Sequence, residues 1–219
     1  RAPDSLATCG PYTAWLASSD VGQNGIYVME GNQKKRVSTI SIERQISRME
    51  HPEDAVGQFW SENQHVFYAI TFRTDRTTLV YDLAEQEWHA RESYERGLWR
   101  PQYATFAYNR IFFGEFDSDA LVYLDNDRYQ EWDGLCMVRL RRGGALYSDN
   151  SPFYVDALNV TLNNGQIDDP VLDPRVMMRY STDGNDWTDM EVGSMGAIGR
   201  YDHQTTWWNL GLCRYMTIE

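Results

Sequence analysis

Apolar and polar residues alternate along most of the chain in short runs, a pattern that predicts β-strands joined by tight turns. The clearest run is 65–72, where every second residue from Val66 onward is apolar. Turn-forming residues at 73–76 separate it from a second run at 77–82, and a third follows at 87–90. These three runs predict one antiparallel meander.

A second meander is predicted from the runs at 103–108, 110–116 and 120–125, which are separated by Asn, Asp and Ser residues. Upstream, 12–18 and 25–29 predict a strand pair around a Gly- and Asn-containing turn. All of these segments are short and joined by short connections, which is typical of an all-β fold.

One segment has helical periodicity. Ile42, Ile46 and Met49 are spaced to share one face of a helix, Ser41 is its predicted N-cap, and the pair His51-Pro52 is expected to end it. We interpret this helix as a connector that packs its apolar stripe on a sheet. The alternative is an interface element that projects from the strands.

The last third predicts a further β unit. It begins with a long strand at 153–162 and continues with a hairpin at 175–187, whose tight turn is Asp183-Gly184. The closing strands are predicted at 207–208 and 210–218. Between the two regions, Met137–Arg142 alternates apolar and basic residues before Gly143-Gly144 interrupts the pattern.

Two segments about 40 residues apart share the same order of an apolar strand, an acidic turn and a tryptophan. The first is Thr78-Leu-Val-Tyr-Asp82 with Trp88, and the second is Ala120-Leu-Val-Tyr-Leu-Asp125 with Trp132. This spacing is that of β-propeller blades. We expect Tyr81, Trp88, Tyr123 and Trp132 to be buried anchors of these blades.

The predicted fold class is therefore all-β, with propeller-like blades of antiparallel meanders followed by a β-sandwich-like C-terminal unit and one short helical insertion. The predicted domains are 1–134, with the helical insertion near 41–58, and 135–219. The chain has 219 residues, which suffices for one large all-β domain or two smaller ones. Because Arg1 is not an initiator residue, we also expect the chain to be processed, tagged or a piece of a longer protein.

Charge disfavours general DNA binding. The formal net charge is −12, from 20 Lys and Arg against 32 Asp and Glu, whereas phosphate contacts require clustered cations. The acidic balance is interpreted as promoting solubility, and the alternative is an acidic wall along which DNA slides. No stretch is long and apolar enough to predict a membrane-spanning segment.

Candidate chemistry is sparse, and we predict no catalytic, cofactor-binding or metal-binding residues. The histidines at 51, 65, 89 and 203 lack metal-ligand spacing, and Trp88-His89 is the pair to inspect first. Asp168 and Asp169 could bind Ca²⁺, although a solvated acidic loop is the better interpretation. Three scattered cysteines, at 9, 136 and 213, predict reduced thiols.

Two basic clusters interrupt the acidic background, Lys34-Lys35-Arg36 and Arg139-x-Arg141-Arg142. Each is a candidate for docking to an acidic neighbouring subunit or for contact with a phosphate backbone. The alternative is protection of an exposed strand edge by charge, which blocks aggregation.

Two weak motif resemblances favour propeller blades. Ser181-x-Asp183-Gly184-x-x-Trp187 resembles the Asp box of sialidases but is one residue shorter. Val80-Tyr81-Asp82 with Trp88 resembles a kelch-type hairpin without the double glycine. These resemblances leave two alternative functions open, a carbohydrate-active propeller (sialidase-like or lectin) and a kelch-like protein-binding adaptor.

The order of several segments along the chain resembles the C-terminal half of the tail nozzle proteins of short-tailed bacteriophages, also called packaged-DNA stabilisation proteins or tail accessory factors. The segments that carry the resemblance are Gly25–Val28, Val37–Glu43, Gln64–Phe72, Thr78–Asp82 with Trp88-His89, Asp173–Gly184 with Trp187, and Gly196–Tyr201 with Trp207–Gly211.

This resemblance implies a non-enzymatic structural protein of the virion tail, assembled in the host cytoplasm. Its subunits would form a homo-oligomeric ring, expected to be a hexamer, that contacts the tail adaptor and the tail fibre or needle proteins. The ring would extend the DNA channel, retain the packaged double-stranded DNA without sequence-specific contact, and release it at ejection. The resemblance implies no cofactor.

Overall fold

The computed structural model describes residues 2–18, 24–125, 128, 130–135, 137–149, 151–162 and 174–219. These residues form two compact units, Arg1–Val138 and Arg139–Glu219. Within the described chain nearly all regular structure is antiparallel β-sheet, and the one α-helix has eight residues.

The described residues of the first unit form eleven strands, and the sequence order of the elements is as follows. A 3-10 turn at Pro3–Ser5 precedes β1 (Ala7–Cys9), β2 (Tyr12–Ser18), β3 (Asn24–Glu30), β4 (Gln33–Arg36), α1 (Ile40–Ser47), a 3-10 turn at Pro52–Asp54, β5 (Val56–Glu62), β6 (His65–Phe72), β7 (Thr77–Asp82), β8 (Glu87–Arg91), β9 (Pro101–Ala107), β10 (Arg110–Glu115) and β11 (Leu121–Tyr123).

These strands form three successive meanders, which we call the first, second and third blades. The first blade has the order β1-β2-β3-β4, the second β5-β6-β7-β8, and the third β9-β10-β11. The first strands of the blades are neighbours, because β1 contacts β5 and β5 contacts β9. This arrangement of sheets side by side through their first strands is that of propeller blades, and none of the described sheets is closed.

One face of the first blade and one face of the second blade share an apolar core. Ala14, Leu16, Ile26 and Val28 of the first blade join one apolar core with Tyr68, Ile70, Phe72 and other residues of the second blade. Tyr68 is fully buried, and its hydroxyl donates a 2.7 Å hydrogen bond to the carbonyl of Ser5. The polar atom of this buried ring is thereby satisfied.

Helix α1 packs its apolar stripe on the blades, as the sequence predicted. Ile42 and Ile46 are buried in the same core as the first two blades. The predicted N-cap, Ser41, is wrong. Thr39 has the extended backbone of a cap, and its hydroxyl accepts the Ile42 amide at 3.3 Å.

The sequence did not predict β5, which pairs with β6 from Val56↔Thr71 to Glu62↔His65. The second blade is consequently four-stranded and not the predicted three. Its other strands, β6, β7 and β8, follow the predicted runs. The third blade packs on the second through a separate aromatic core of Trp60, Trp99 and Phe113.

The described residues of the second unit form seven strands. In sequence order they are β12 (Leu146–Tyr147), β13 (Phe153–Thr161), β14 (Arg175–Met178), β15 (Tyr180–Ser181), β16 (Glu191–Ser194), β17 (Gln204–Cys213) and β18 (Tyr215–Ile218). The pairings are β13 with β17, β14 with β16, and the three-stranded order β12-β18-β15. Their apolar faces enclose a core that includes Met178, Trp207, Leu210 and Met216.

One strand prediction in this region is wrong. Trp187 does not lie on the return strand of a tight hairpin, because the partner of β14 is Glu191–Ser194 and β15 pairs with β18. Met137–Arg142 alternates in sequence, yet its described residues belong to no strand and are exposed. By contrast, β13, β17 and β18 match the predicted strands at 153–162, 207–208 and 210–218.

Candidate assembly site

The four predicted aromatic anchors have different environments. Tyr81 is buried and packs on Trp88 with ring centroids 5.0 Å apart, and the Trp88 indole donates to the Val37 carbonyl at 2.8 Å. Tyr123 and Trp132 are 42% and 58% exposed. The prediction is therefore wrong for these two, and Trp132 follows no return strand in the described part of 124–135.

The outer face of the third blade presents exposed aromatic and apolar side chains. Leu121 is 67% exposed beside Tyr123, and the Phe112 and Tyr123 ring centroids are 6.0 Å apart. The Arg110 guanidinium lies 4.4 Å from the Tyr123 ring centroid, a cation–π contact. This face is apolar at its centre with a cation beside it, which suits contact with another protein surface.

Arg100 is the centre of a buried charge network that the sequence did not predict. Its guanidinium donates to Glu131 at 2.6 Å and to Asp133 at 2.9 Å, and its Nε lies 3.6 Å from Glu115. The Trp132 indole donates to Glu115 at 2.6 Å. The network attaches residues 131–133, which lie outside any named strand, to the third blade.

This network changes the proton affinity of its members. Burial acts to lower the pKa of Arg100, but hydrogen bonds and charge interactions with Glu131, Glu115 and Asp133 outweigh it and raise that pKa. Burial likewise acts to raise the pKa of Asp133, whereas the Leu135 amide and the Arg100 side chain lower it overall. Arg100 and Asp133 are therefore held in their charged forms.

A second arginine lies among aromatic rings at the contact between the second and third blades. The Arg91 guanidinium is 5.0 Å from the Trp60 ring centroid and 5.1 Å from that of Trp99. Burial lowers the pKa of Arg91 below its ordinary value. Sequence reasoning missed this contact because Trp60 lies on β5 and Arg91 on β8, the two edge strands of the second blade. The two residues are far apart in sequence, and only the tertiary fold brings them together.

The first basic cluster lies on the outer strand of the first blade. All three side chains of Lys34, Lys35 and Arg36 are exposed on β4. The Lys34 ammonium lies 3.9 Å from the Tyr27 ring centroid, and Arg36 forms a 2.6 Å ion pair with Glu43. The cluster therefore remains at the surface, next to α1.

The second basic cluster does not act as one unit. Arg142 forms a 2.7 Å ion pair with Glu219, whose side chain is buried, and Arg179 binds the other oxygen of the same carboxylate. Both guanidinium groups also lie against the Trp187 ring. Arg139 and Arg141 are exposed outside this contact. Part of the predicted docking cluster is thus structural.

The Asp-box-like segment forms a side-chain-stabilised turn. Asp183 accepts the amides of Asn185 and Asp186 at 2.8 and 2.9 Å, and these hydrogen bonds lower its pKa. Gly184 has φ +83, a conformation that glycine adopts without strain. Trp187 packs on arginines near this turn, which agrees with a structural role for the motif.

The histidines do not converge on one site. His65 forms a 2.6 Å contact with Asp82, and His51 contacts Glu53 at 3.0 Å. His89 contacts the Phe67 ring, and burial lowers the pKa of its imidazole. Among the described residues, no group of three or more His, Cys, Asp or Glu side chains is placed to hold a metal ion.

Two open hollows on the first unit were compared with the site that a sialidase requires. One, of about 330 Å³, contains Glu53 and no arginine, and the other, of about 460 Å³, combines Arg36, Arg44 and Arg48 with Glu43. Neither hollow brings together the arginine cluster, the Tyr–Glu pair and the further acid of that chemistry.

Cys9 is a half-buried free thiol, and Cys213 is a buried free thiol whose pKa is raised by burial. Cys136 and the candidate Ca²⁺ residues Asp168 and Asp169 lie outside the described residues. No helix in the described chain is long and apolar enough to cross a membrane.

Comparison with known protein families assigns both units. Residues 2–129 match the Phage_stabilise family model, described as bacteriophage P22 Gp10, beta-propeller. Residues 139–218 match a second model, described as bacteriophage P22 Gp10, beta-sandwich. A search of curated proteins finds no significant match. These two models span nearly the whole chain and agree with open blades followed by a β unit. This chain therefore belongs to the bacteriophage P22 Gp10 family of phage structural proteins.

Proposed function

We propose that this chain is a subunit of a tail nozzle ring that extends the DNA channel of a short-tailed phage and retains the packaged genome. The observation that carries the proposal is the arrangement of three open blades joined through β1, β5 and β9. Open sheets leave unpaired strand edges. The outer face of the third blade also exposes apolar side chains, and a neighbouring protein is suited to cover both kinds of surface.

The proposed mechanism is mechanical and involves no catalytic step. Buried cores and the Arg100 network stiffen each subunit, while exposed faces make the contacts between copies. The tail adaptor above and the fibre or needle proteins below are the proposed further partners. Assembly in the host cytoplasm would precede incorporation into the virion.

Electrostatics supports the passage of DNA without binding. Each copy carries a formal charge of −12, so a sixfold ring would be strongly negative, and we propose that part of this charge lines its bore. Double-stranded DNA has about one negative charge per 1.7 Å of its axis, and like charges repel at short range. A bore lined by carboxylates would therefore let the duplex slide.

The ring is tested by sedimentation velocity of the chain at micromolar concentration, followed by negative-stain imaging. Closed rings with a central opening, of hexameric mass, support the proposal. The longest available version of the protein is measured in parallel as the control for the choice of chain ends. A monodisperse monomer from both versions, with no ring on the grid, contradicts it.

The acidic bore is tested separately by mapping Asp and Glu in a reconstruction of the assembled ring. A bore dominated by carboxylates supports sliding of DNA, whereas a neutral or basic bore rejects this part of the proposal. Binding of a short DNA duplex to the ring at low salt provides a second measurement, and we expect none.

A further inference from the structure

Positive charge is concentrated in one segment of the first unit. Residues 33–48 contain five of the chain's 20 Lys and Arg but only one of its 32 Asp and Glu. This segment therefore carries a formal charge of +4, and the rest of the chain carries −16. A second copy of the chain is thus a strongly complementary partner for this segment.

The segment lies on the outer side of the first blade. It contains β4, which is the sheet edge opposite β1. The strand β1 contacts β5 of the second blade, and at the β4 edge Lys35 donates a 2.7 Å hydrogen bond to Gln86 of the second blade. A duplex that followed the first strands of the blades would pass on the opposite edge of the sheet from Lys34, Lys35 and Arg36. This position favours a protein neighbour over DNA.

Next to β4, side chains of α1 line an open groove of about 460 Å³. Its charged members are Arg44 on α1, Arg48 at the C-cap of α1, and the ion pair of Arg36 with Glu43. Arg44 and Arg48 are exposed and four residues apart, so they share one face of the helix. Two like charges in this position repel, and a carboxylate from a partner would relieve the repulsion.

An apolar side chain completes the groove. Ile40 is 70% exposed at the first residue of α1 and lines the groove together with the arginines. It is one of the most exposed large apolar residues of the first unit. Contact with a partner would remove this side chain from water while the arginines pair with acids around it.

We propose that this groove, lined by Arg36, Ile40, Arg44 and Arg48, binds an acidic surface of a second copy of the chain and forms the contact between neighbouring subunits. The inference rests on the proposed ring and names the surface that builds it. The contact is electrostatic at its rim, so salt weakens it.

The test uses the full chain with Arg44→Glu and Arg48→Glu combined. The matched control is Arg200→Glu with Arg214→Glu, which makes the same charge change at two exposed arginines of the second unit. Sedimentation velocity at about 50 and about 500 mM NaCl measures association of each protein. We expect the groove variant to associate at least about tenfold more weakly than wild type at low salt, while the control is unchanged.

Zero-length carbodiimide cross-linking of mixed isotopically light and heavy copies identifies the contact directly. We expect cross-links from Lys34 or Lys35 of one copy to carboxylates of another, lost at high salt. Circular dichroism shows whether charge reversal disturbs folding. If it does, the milder variant Arg44→Gln with Arg48→Gln replaces the glutamate variant in the same measurement.

The outcomes separate the two proposals. Rings that form equally well in the groove variant overturn the inference and leave the ring function intact. Absence of assembly by wild type and by the longest version overturns both. Retardation of a DNA duplex that disappears in the groove variant, with assembly unchanged, assigns the groove to phosphate and overturns the inference in favour of DNA.

Discussion

Arg100 shows how one side chain fixes a segment that has no regular structure of its own. Its partners Glu115, Glu131 and Asp133 all lie far from Arg100 in the sequence. The side chains of Arg100 and Glu115 are almost fully buried. Burying charges is costly unless each has a partner. Removing the arginine therefore leaves carboxylates without their cation in a low-dielectric environment.

We accordingly expect Arg100→Met to lower the free energy of unfolding by about 3 to 5 kcal/mol. Urea denaturation followed by tryptophan fluorescence measures this change. The matched control is Arg96→Met, because Arg96 and Asp117 form a more exposed pair worth at most about 1 kcal/mol. Equal effects of the two substitutions would contradict a special role for Arg100.

Glu219 gives a second residue-scale prediction, which concerns acid stability. Burial acts to raise its pKa, but hydrogen bonds from Arg179 and Arg142 lower the pKa below the ordinary value of 4.5. The unfolded chain therefore binds this proton more tightly than the folded chain. The stabilisation is complete well above pH 4.5 and declines as pH falls through the folded-state pKa.

We expect Glu219→Gln to reduce stability near neutral pH and to make its loss on acidification shallower than in wild type. Unfolding free energies measured in urea between about pH 7 and pH 3 test this expectation. Glu87→Gln, which changes an exposed carboxylate on β8, serves as the control. Parallel pH curves for wild type and Glu219→Gln would refute the linkage.

At the scale of the elements, close backbone contact limits which residue can occupy the centre of β5. A Cβ atom on Gly57 would lie 2.0 Å from the carbonyl oxygen of Ser5 and 3.0 Å from the Tyr68 hydroxyl. The nearest atom belongs to the backbone, so a flexible side chain cannot move aside. The 3-10 turn at Pro3–Ser5 can lie this close to the second blade only because residue 57 is a glycine.

Gly57→Ala should consequently destabilise the protein by at least about 2 kcal/mol through overpacking. The control is Gly114→Ala on β10, where a Cβ atom would meet only the Gln102 carbonyl at an ordinary 3.8 Å. Thermal unfolding of both variants measures the difference. A Gly57→Ala variant as stable as Gly114→Ala would show that the turn shifts without cost.

The N-cap of α1 is Thr39 in the structure, whereas the sequence predicted Ser41. Thr39→Ala removes the hydroxyl that accepts the Ile42 amide, and we expect it to cost about 1 kcal/mol. Ser41→Ala lies inside the first turn of α1 and should change stability by less than about 0.5 kcal/mol. Denaturant unfolding compares the two, and a larger effect at Ser41 would favour the cap predicted from sequence.

Short apolar runs bounded by turn residues made β6 and β7 predictable, and both faces of these strands are buried in separate cores. The strand β13 was predictable from its length and its alternation of half-buried and exposed residues. The strand β5 was missed because Gly57 and Gln58 interrupt its apolar pattern. Thr39 and Ser41 are equally good capping residues by type, and only the backbone conformation distinguishes them. These errors arise where tertiary contacts decide among locally equivalent choices.

The candidate site was less predictable than the fold. The basic residues at 34–36 remain exposed as the sequence suggested, whereas Arg142 binds Glu219 from the other end of its unit. The pairs formed by Arg100 span 15 to 33 residues. No spacing rule identifies such pairs, because they arise only when separate strands meet.

At the scale of the whole molecule, the two compact units are joined at an exposed basic segment. Arg139 and Arg141 lie on this segment, outside any strand, at the start of the second unit. Proteases cleave exposed segments that can be drawn into an extended conformation. The organisation of the chain therefore predicts where it is cut first.

We expect limited trypsin digestion to cleave first after Arg139 or Arg141 and to release two resistant fragments close to 1–139 and 142–219. Mass spectrometry of early time points identifies the cut. A variant with Arg139→Gln and Arg141→Gln should delay fragmentation, with Arg200→Gln as the control at another exposed arginine. Earlier cleavage inside a blade would contradict the proposed organisation.

The position of β18 has a consequence for how the chain bears load. This last strand lies between β12 and β15, and the residue after it, Glu219, is held by two arginines. A pull on that end must strain both ladders and the ion pairs at once, and cannot peel away an edge strand. Unravelling of the chain from this end therefore requires two short ladders and the ion pairs of Glu219 to break together.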